Sequence, residues 1–240
     1  MSADEASYVR EQYATPHNLR ARKAAYVNAE GDDPRDFVLE AVAAAKPRRV
    51  LEVGGGEGEL AERIVQELDV ELVGIDQSEA MVAEQRARGI SARVGDVQEL
   101  PFEDGEFDVA VAAWMLYHVP DLDHGVAELA RVLKDDGVLV AVTNSVEHLH
   151  ELWERAQRAT RISQFSFRSD NGEEVLRRHF GAVERRDATG SVLMDDATIR
   201  AFAASWDALA PLVRMPPLRE PLRVRRHSTV FVARKYHHAP

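Results

Sequence analysis

Strand-like and helix-like segments alternate from residue 35 to residue 143, and this alternation constrains the fold more than any other feature of the chain. Five short apolar runs have the length and composition of buried strands. They lie at 48–53, 70–76, 90–96, 107–113 and 137–143. The segments between them carry apolar residues at helical spacing, such as Leu60, Ile64 and Leu68. The sequence therefore predicts an α/β fold with a doubly wound, mostly parallel sheet.

Two further strands, at 182–187 and 228–234, bring the expected total to seven and suggest an antiparallel edge. Helices are expected near 147–158, 171–180 and 196–208. We interpret residues 1–240 as one domain in three parts. They are an N-terminal helical lid (1–32), a ligand-binding core (33–144), and a substrate cover with the C-terminal strands (145–240).

Composition excludes several classes of function. The chain has no cysteine, which rules out disulfides, thiolate metal sites and a cysteine nucleophile. Its net charge of -11 argues against a general nucleic-acid binder, although the basic stretch 214–227 leaves a local contact with RNA open. Acids and histidines lack metal-ligand spacing, so no metal site is predicted. No apolar run approaches the ~18 residues of a membrane span, and the acidic N-terminus is unlike a signal peptide, so a cytoplasmic location is expected.

The stretch LEVGGGEGEL (51–60) follows the first core strand, where doubly wound sheets bind ligands. The dinucleotide fingerprint requires glycine or alanine at position 59, which is Glu59, and a P-loop requires lysine after Gly58. Glu57 and Glu59 also crowd the start of the next helix, where a pyrophosphate would need positive charge. The sequence therefore favours a ligand that carries no phosphate.

VLEVGGGEGELA resembles motif I of the class I S-adenosylmethionine-dependent methyltransferases. Three further stretches resemble later motifs in family order, and they point to the type-11, ubiquinone-biosynthesis-like branch. They are VGIDQSEAMV (73–82), VGDVQELPFEDGEFDVAVAAWMLYHV (94–119) and ELARVLKDDGVLVAV (128–142). The last departs from the family pattern, with Asp135 and Asp136 where Pro-Gly is common. The resemblance covers residues 35–143 and implies S-adenosylmethionine as cofactor and S-adenosylhomocysteine as product.

The resemblance also implies which residues meet the methionyl part of the cofactor. Gly54 and Gly56 would let the backbone approach it, where a side chain would collide. Glu52 would hold loop donors or, through water, the cofactor ammonium. Trp114, just past the fourth strand, is expected near the methionyl group.

On the nucleoside side, the resemblance assigns Asp76 to the two ribose hydroxyls, a role that suits a carboxylate at the end of a strand. Gln77 would lie against the adenine. Asp96 would accept from the adenine amino group, and the Val97 backbone N–H would donate to the ring.

YATPHNLRAR (13–22) resembles a Tyr-x4-Asn-Leu-x2-Arg stretch that precedes the core in some enzymes of this branch. The resemblance would pair Arg22 with the cofactor carboxylate. It would also place Tyr13 against the sulfonium in a cation–π contact. A helix that only packs on the domain is the alternative.

Three residues are candidates on the acceptor side. Tyr117 and His118 follow the fourth strand; we expect Tyr117 to shape the substrate pocket, and His118 to be either a general base or a structural histidine. His148 follows the fifth strand and either contacts substrate or faces solvent. The resulting hypothesis is methyl transfer to a small-molecule acceptor through oxygen, nitrogen or carbon. The alternatives are an RNA methyltransferase that uses the 214–227 arginines and a non-catalytic cofactor-binding protein.

Overall fold

The computed structural model describes residues 16–158 and 160–235. Within them, eight strands form one sheet. These are β1 (Ala29–Gly31), β2 (Arg49–Val53), β3 (Glu71–Asp76), β4 (Ser91–Val94), β5 (Phe107–Ala113), β6 (Leu133–Asn144), β7 (Ala182–Met194) and β8 (Leu222–Arg234). The strand order is β1-β7-β8-β6-β5-β2-β3-β4.

Eight α-helices belong to the same described residues. They are α1 (His17–Ala24), α2 (Pro34–Ala45), α3 (Glu59–Glu67), α4 (Glu79–Ala87), α5 (Leu122–Val132), α6 (His150–Arg155), α7 (Gly172–Leu176) and α8 (Asp196–Ala204). Short 3-10 turns cover Leu116–His118, Arg161–Gln164 and Asp207–Arg214. No helix in these described parts of the chain is long and apolar enough to cross a bilayer.

The sheet confirms the predicted doubly wound, mostly parallel architecture. Strands β2 to β6 pair in parallel, and β8 pairs antiparallel with both β6 and β7. The reversed strand β8 therefore lies inside the sheet, between β6 and β7. The outer strand on that side is β1, which pairs antiparallel with β7.

Strand β1 is an eighth strand that the sequence analysis did not predict, because three residues are too few to show a period. It lies in the segment that was expected to be helical throughout. At this edge Gly31 has φ 92°, and a Cβ on Gly190 would lie only 2.1 Å from the carbonyl oxygen of Glu30. Two glycines therefore let the backbones of β1 and β7 approach each other.

Apolar layers cover both faces of the parallel strands. Leu51 and Val53 of β2 point into one layer and Val50 into the other, and all three are buried. A third apolar cluster lies in the cover and contains Trp153, Phe202 and Leu209. This cluster also includes Val192 of β7 and Val224 of β8, so the cover packs on the antiparallel side of the sheet.

Candidate functional site

A cavity of about 1400 Å³ lies where several parallel strands end. Its walls include the loops that follow β2 and β3, the turn after β5, and Asn144 at the end of β6. Helix α1, the start of the cover and strand β8 close the other side. Doubly wound sheets bind ligands at this edge, and the cavity is large enough for a cofactor together with a second small molecule.

The glycine loop turns sharply against the wall of the cavity. Gly54 and Gly56 have φ of 63° and 57°, a conformation that side chains disfavour. The Gly54 N–H donates to the carbonyl of Ile75 over 2.7 Å. A Cβ on Gly54 would lie 2.7 Å from the Cβ of Met115. Both predicted glycines therefore line the cavity as bare backbone.

Glu52 is buried beneath this loop, with 1% of its surface exposed. Neither carboxylate oxygen has a hydrogen-bond partner among the described residues. Burial raises the pKa of Glu52 to about 8; the negative charge of Asp76 adds to the shift and Lys23 opposes it. A buried acid without donors is costly, so the site fits a cationic group such as the ammonium of an amino acid.

Asp76 lies at the end of β3 with its carboxylate on the cavity wall. It accepts hydrogen bonds from the backbone N–H of Gly56 at 3.2 Å and of Ser78 at 2.9 Å. Burial raises its pKa, and these backbone donors oppose the shift. Each carboxylate oxygen keeps acceptor capacity for a ligand hydroxyl.

Of the three residues predicted to contact the adenine, two line the cavity and one does not. Gln77 and Val97 line the cavity. Asp96 does not belong to the wall, although Gly95 and Val97 on either side do. Its carboxylate accepts from the Gln98 backbone N–H at 2.9 Å and from Gln98 Nε2 at 3.2 Å. An adenine amino group would share Asp96 with Gln98.

Trp114 lies on the cavity wall at the end of β5 and has φ 56°, an uncommon conformation for a bulky residue. Its Nε1–H donates to Asn144 Oδ1 at 3.2 Å, and Ser228 Oγ donates to the same oxygen at 2.9 Å. The ring is thus tied to the end of β6 and, through Asn144, to the middle of β8. Backbone strain held in place by its neighbours is typical of binding sites.

Helix α1 is attached to the glycine loop by ion pairs that the sequence analysis missed. Arg20 Nε lies 2.5 Å from Glu57 Oε1, and Lys23 Nζ lies 3.0 Å from Glu57 Oε2 and 3.1 Å from Glu59. Burial alone would raise the pKa of Glu57, but the bonds from Lys23 and Arg20 hold it below its usual value. Glu57 and Glu59, the acids that crowd the start of α3, are therefore paired with the basic residues of α1.

Arg22, on the same helix, lines the cavity, and its Nη2 donates to the carbonyl of Ser205 at 3.2 Å. Tyr13, the other predicted residue of this segment, lies outside the described residues.

Tyr117 and His118 also line the cavity, in the 3-10 turn after β5. The Tyr117 ring stacks on Phe165, with centroids 4.5 Å apart and planes 12° apart. Burial, with a contribution from the charge of Arg22, lowers the pKa of His118 to about 4. His118 is therefore a neutral imidazole at pH 7 and a weak base.

His148 is buried, so the alternative that it faces solvent is wrong. Its Nδ1 accepts from the backbone N–H of His227 at 3.1 Å. Its Nε2 lies 3.1 Å from the hydroxyl of Tyr26. Burial, with the nearby charge of Arg226, lowers its pKa to about 3, so the ring is neutral.

Tyr26 and Arg226 line the cavity, and the sequence analysis missed both. Tyr26 follows α1 in a stretch without a period. Arg226 belongs to the basic stretch 214–227, for which the sequence left a contact with RNA open. The available signal was the two-residue period of β8, because Arg226 alternates in register with the buried Val224 and Ser228.

Other arginines of that stretch point elsewhere. Arg223 pairs with Glu30 and Arg225 with Glu147. The basic residues are thus divided between the outer surface and the cavity. Within residues 16–158 and 160–235, no three acids or histidines come together as metal ligands would.

Comparison with known proteins agrees with this site. Residues 51–141 match the family described as "Methyltransferase domain". The chain is 33% identical over 125 residues to the ubiquinone/menaquinone biosynthesis C-methyltransferase UbiE of Citrifermentans bemidjiense. The aligned region covers 48% of the chain and 53% of that relative. It is 38% identical over 99 residues to 27-O-demethylrifamycin SV methyltransferase of Amycolatopsis mediterranei, covering 38% and 36% respectively. The matched region thus spans about half of the first relative and about a third of the second.

The fold also resembles the solved structure of the [4+2]-cyclase SpnF, with a TM-score of 0.66 over 95% of each chain at 20% identity. Fold, glycine loop and strand-end acids together define a class I methyltransferase core. Residues 51–141 carry a methyltransferase domain, and over this core the chain is similar to S-adenosylmethionine-dependent methyltransferases of the type-11, UbiE-like branch. The cofactor of this family is S-adenosylmethionine, and the orphaned carboxylate of Glu52 beside the Asp76 carboxylate fits its ammonium and ribose.

Proposed function

We propose that this protein transfers a methyl group from S-adenosylmethionine to a small-molecule acceptor. One observation carries the proposal: the partnerless, buried Glu52 lies beside Asp76 on the wall of a cavity that bare glycine backbone also lines. A ligand that satisfies both acids needs a cationic group and neighbouring hydroxyls, which are the groups of the cofactor's amino acid and ribose.

Each remaining cofactor residue has a proposed role. Gly54 and Gly56 admit the methionyl chain, and Trp114 bounds it. Arg22 supplies the positive charge for the cofactor carboxylate. Gln77 packs on the adenine, Val97 donates its N–H to the ring, and Asp96 accepts from the amino group in competition with Gln98.

The cofactor supplies an activated methyl group on a sulfonium that becomes neutral as the methyl departs. The protein's task is to align the acceptor in line with that bond and to keep water out. Tyr117, stacked on Phe165, forms an aromatic wall for the acceptor. His148 belongs to the acceptor side through its bond to Tyr26.

His118 is the proposed proton acceptor only for a nucleophile that must lose a proton, since its lowered pKa makes it a weak base. For a nucleophile that is already deprotonated, His118 serves as a hydrogen-bonding group that orients the acceptor.

The RNA alternative loses its main support, since two of its arginines are paired with acids and a third lines the cavity. A non-catalytic cofactor-binding protein remains as the second candidate. It differs from the main proposal by binding S-adenosylmethionine without turnover on any acceptor.

The test is calorimetric titration with S-adenosylmethionine, S-adenosylhomocysteine and, as control, NADH. Micromolar binding of the first two without NADH binding is expected. Asp76→Ala should weaken both by about 1.5–3 kcal/mol, the value of hydrogen bonds to a charged group. Asp69→Asn, an exposed acid just before β3, is the matched control and should bind normally. NADH binding in place of S-adenosylmethionine binding would contradict the proposal.

A further inference from the structure

One end of the cavity contains hydrogen-bond donors that lack acceptors. Tyr26 and Arg226 meet there, with the guanidinium carbon of Arg226 lying 5.8 Å from the centroid of the Tyr26 ring. Tyr26 comes from the turn after α1 and Arg226 from β8. Glu52 and Asp76, the acids assigned to the cofactor, belong instead to strands β2 and β3.

His148 determines whether the Tyr26 hydroxyl donates or accepts in the hydrogen bond between them. The backbone N–H of His227 can only donate, so His148 Nδ1 accepts from it and carries no proton. In the neutral ring the proton is then on Nε2, which donates to the Tyr26 oxygen at 3.1 Å. The Tyr26 O–H is left to donate, and no acceptor for it exists among the described residues. His148 is thus a positioning residue for Tyr26.

The guanidinium of Arg226 has no ion pair and no hydrogen bond with any residue in 16–158 and 160–235, although Arg226 is only partly exposed. The charge of Arg226 contributes to the lowered pKa of one acid, Asp33. That carboxylate is already held in a two-pronged bond by Arg35, with Nε at 3.0 Å and Nη2 at 2.7 Å. The positive charge of Arg226 therefore faces the cavity without a counterion of its own.

Two donors, one of them charged, thus line the same part of the cavity without an acceptor. A bound anionic oxygen group would satisfy both, because carboxylates and phosphates accept from guanidinium and hydroxyl groups together. We propose that Arg226 and Tyr26 form an acceptor subsite for an anionic group, a carboxylate or a phosphate, on the molecule to be methylated. This inference rests on the proposed function.

The test compares acids with their neutral analogues. Benzoate is paired with benzamide, and phenyl phosphate with phenol, so that the aromatic part is shared. Each is titrated calorimetrically into the full chain, with and without saturating S-adenosylhomocysteine. We expect at least one acid to bind with a Kd below about 1 mM and about tenfold or more tighter than its analogue. The tighter-binding acid identifies carboxylate or phosphate as the recognised group.

Three variants assign the preference to its residues. Arg226→Gln should abolish the preference for the acid, and Tyr26→Phe should reduce it severalfold. Arg223→Gln is the matched control, because Arg223 lies on the same strand but pairs with Glu30 outside the cavity. It should keep the full preference. All three should bind S-adenosylhomocysteine within about twofold of the unchanged protein.

Several results would overturn the subsite. The first is that the acids bind no better than their neutral analogues, or do not bind at all. The second is that the preference for the acid persists in Arg226→Gln. The third is a loss of S-adenosylhomocysteine affinity in Arg226→Gln, which would assign the guanidinium to the cofactor. Absence of S-adenosylhomocysteine binding to the unchanged protein contradicts the proposed function instead, and the acid comparison in the free protein still decides the subsite.

Discussion

Single residues in this cavity are tuned mainly by removal from water. Burial raises the pKa of Glu52 and lowers those of His118 and His148, so all three are pushed toward their neutral forms. The sequence could predict Glu52 and His118 as part of the site, since both fall in stretches that resemble the family, whereas His148 was a candidate only because it follows the fifth strand. It could not predict that Glu52 lacks partners, because that depends on what surrounds it in three dimensions.

Glu52 should make the ligand-free protein less stable as pH rises. Its folded pKa of about 8 lies above the value of 4.5 for a free side chain, so the folded state binds more protons between these values. The stability that the protonated form provides is complete below the unfolded pKa and is lost as pH rises through about 8. Glu52→Gln, which stays neutral, should therefore gain stability over the unchanged protein between about pH 5 and about pH 8.

The measurement is urea unfolding of both proteins across that range. His118 and His148 shift stability in the opposite direction, since their folded pKa values are lowered, but they contribute equally to both proteins. The difference in unfolding free energy between the two proteins therefore contains no contribution from these histidines. A constant difference in unfolding free energy at every pH would contradict the assignment.

At the scale of elements, the predicted strands β2, β3 and β5 match the observed ones closely because their apolar runs are buried on both faces. The edge strand β4 is mostly exposed and shorter than predicted, and β6 begins four residues earlier than predicted. The antiparallel strands β7 and β8 extend much further than predicted, to thirteen residues each. Their added lengths carry arginines and other polar residues on an exposed face, which hides the pattern. The ion pairs of α1 join residues that are far apart in sequence, and a periodic pattern within one segment cannot reveal such contacts.

The glycine loop should tolerate no side chain at Gly54. Gly54→Ala places a Cβ 2.7 Å from the Met115 Cβ, so the loop or Met115 must move. We expect S-adenosylhomocysteine affinity to fall by about tenfold or more. Gly89→Ala is the matched control, since Gly89 also has positive φ (82°) but no atom lies within 4 Å of the added carbon. Calorimetry should show normal affinity there, with only a modest loss of stability; equal losses of affinity would contradict the prediction.

Helix α1 should act as a lid that Glu57 holds in place. Glu57→Gln removes the charge that pairs with Arg20 and Lys23, so bound S-adenosylhomocysteine should dissociate about threefold faster or more, as measured by stopped-flow fluorescence. Glu67→Gln breaks a pair with Arg63 on α3 instead and serves as control. Unchanged dissociation in Glu57→Gln would make α1 a packing element only.

At the scale of the whole molecule, the cavity has two parts with different origins in the sequence. The residues assigned to the nucleoside and ammonium of the cofactor lie between Glu52 and Val97, inside the matched region 51–141. The acceptor subsite draws on Tyr26, His148 and Arg226, all outside that region. The first part could be predicted from sequence because its residues are close together; the second is assembled only by folding.

Cofactor binding should stabilise the entire domain. At a ligand concentration of about 100 times Kd, binding contributes roughly 2.7 kcal/mol to the folded state. For a chain of this size, that corresponds to a rise in Tm of roughly 5–10 °C. Differential scanning fluorimetry with S-adenosylhomocysteine measures it, with NADH as control. A Tm that rises equally with NADH, or with neither ligand, would contradict the assignment of the cavity.

The position of β8 has a consequence for how the protein is made. This strand leaves the ribosome after every other strand of the sheet, yet it is hydrogen-bonded on both sides, between β6 and β7. Until it arrives, those two strands present open edges, which are prone to pair with other chains. Arg226 lies on this strand. A nascent chain would therefore complete the cofactor pocket first, and the acceptor subsite would form only when β8 pairs with β6 and β7.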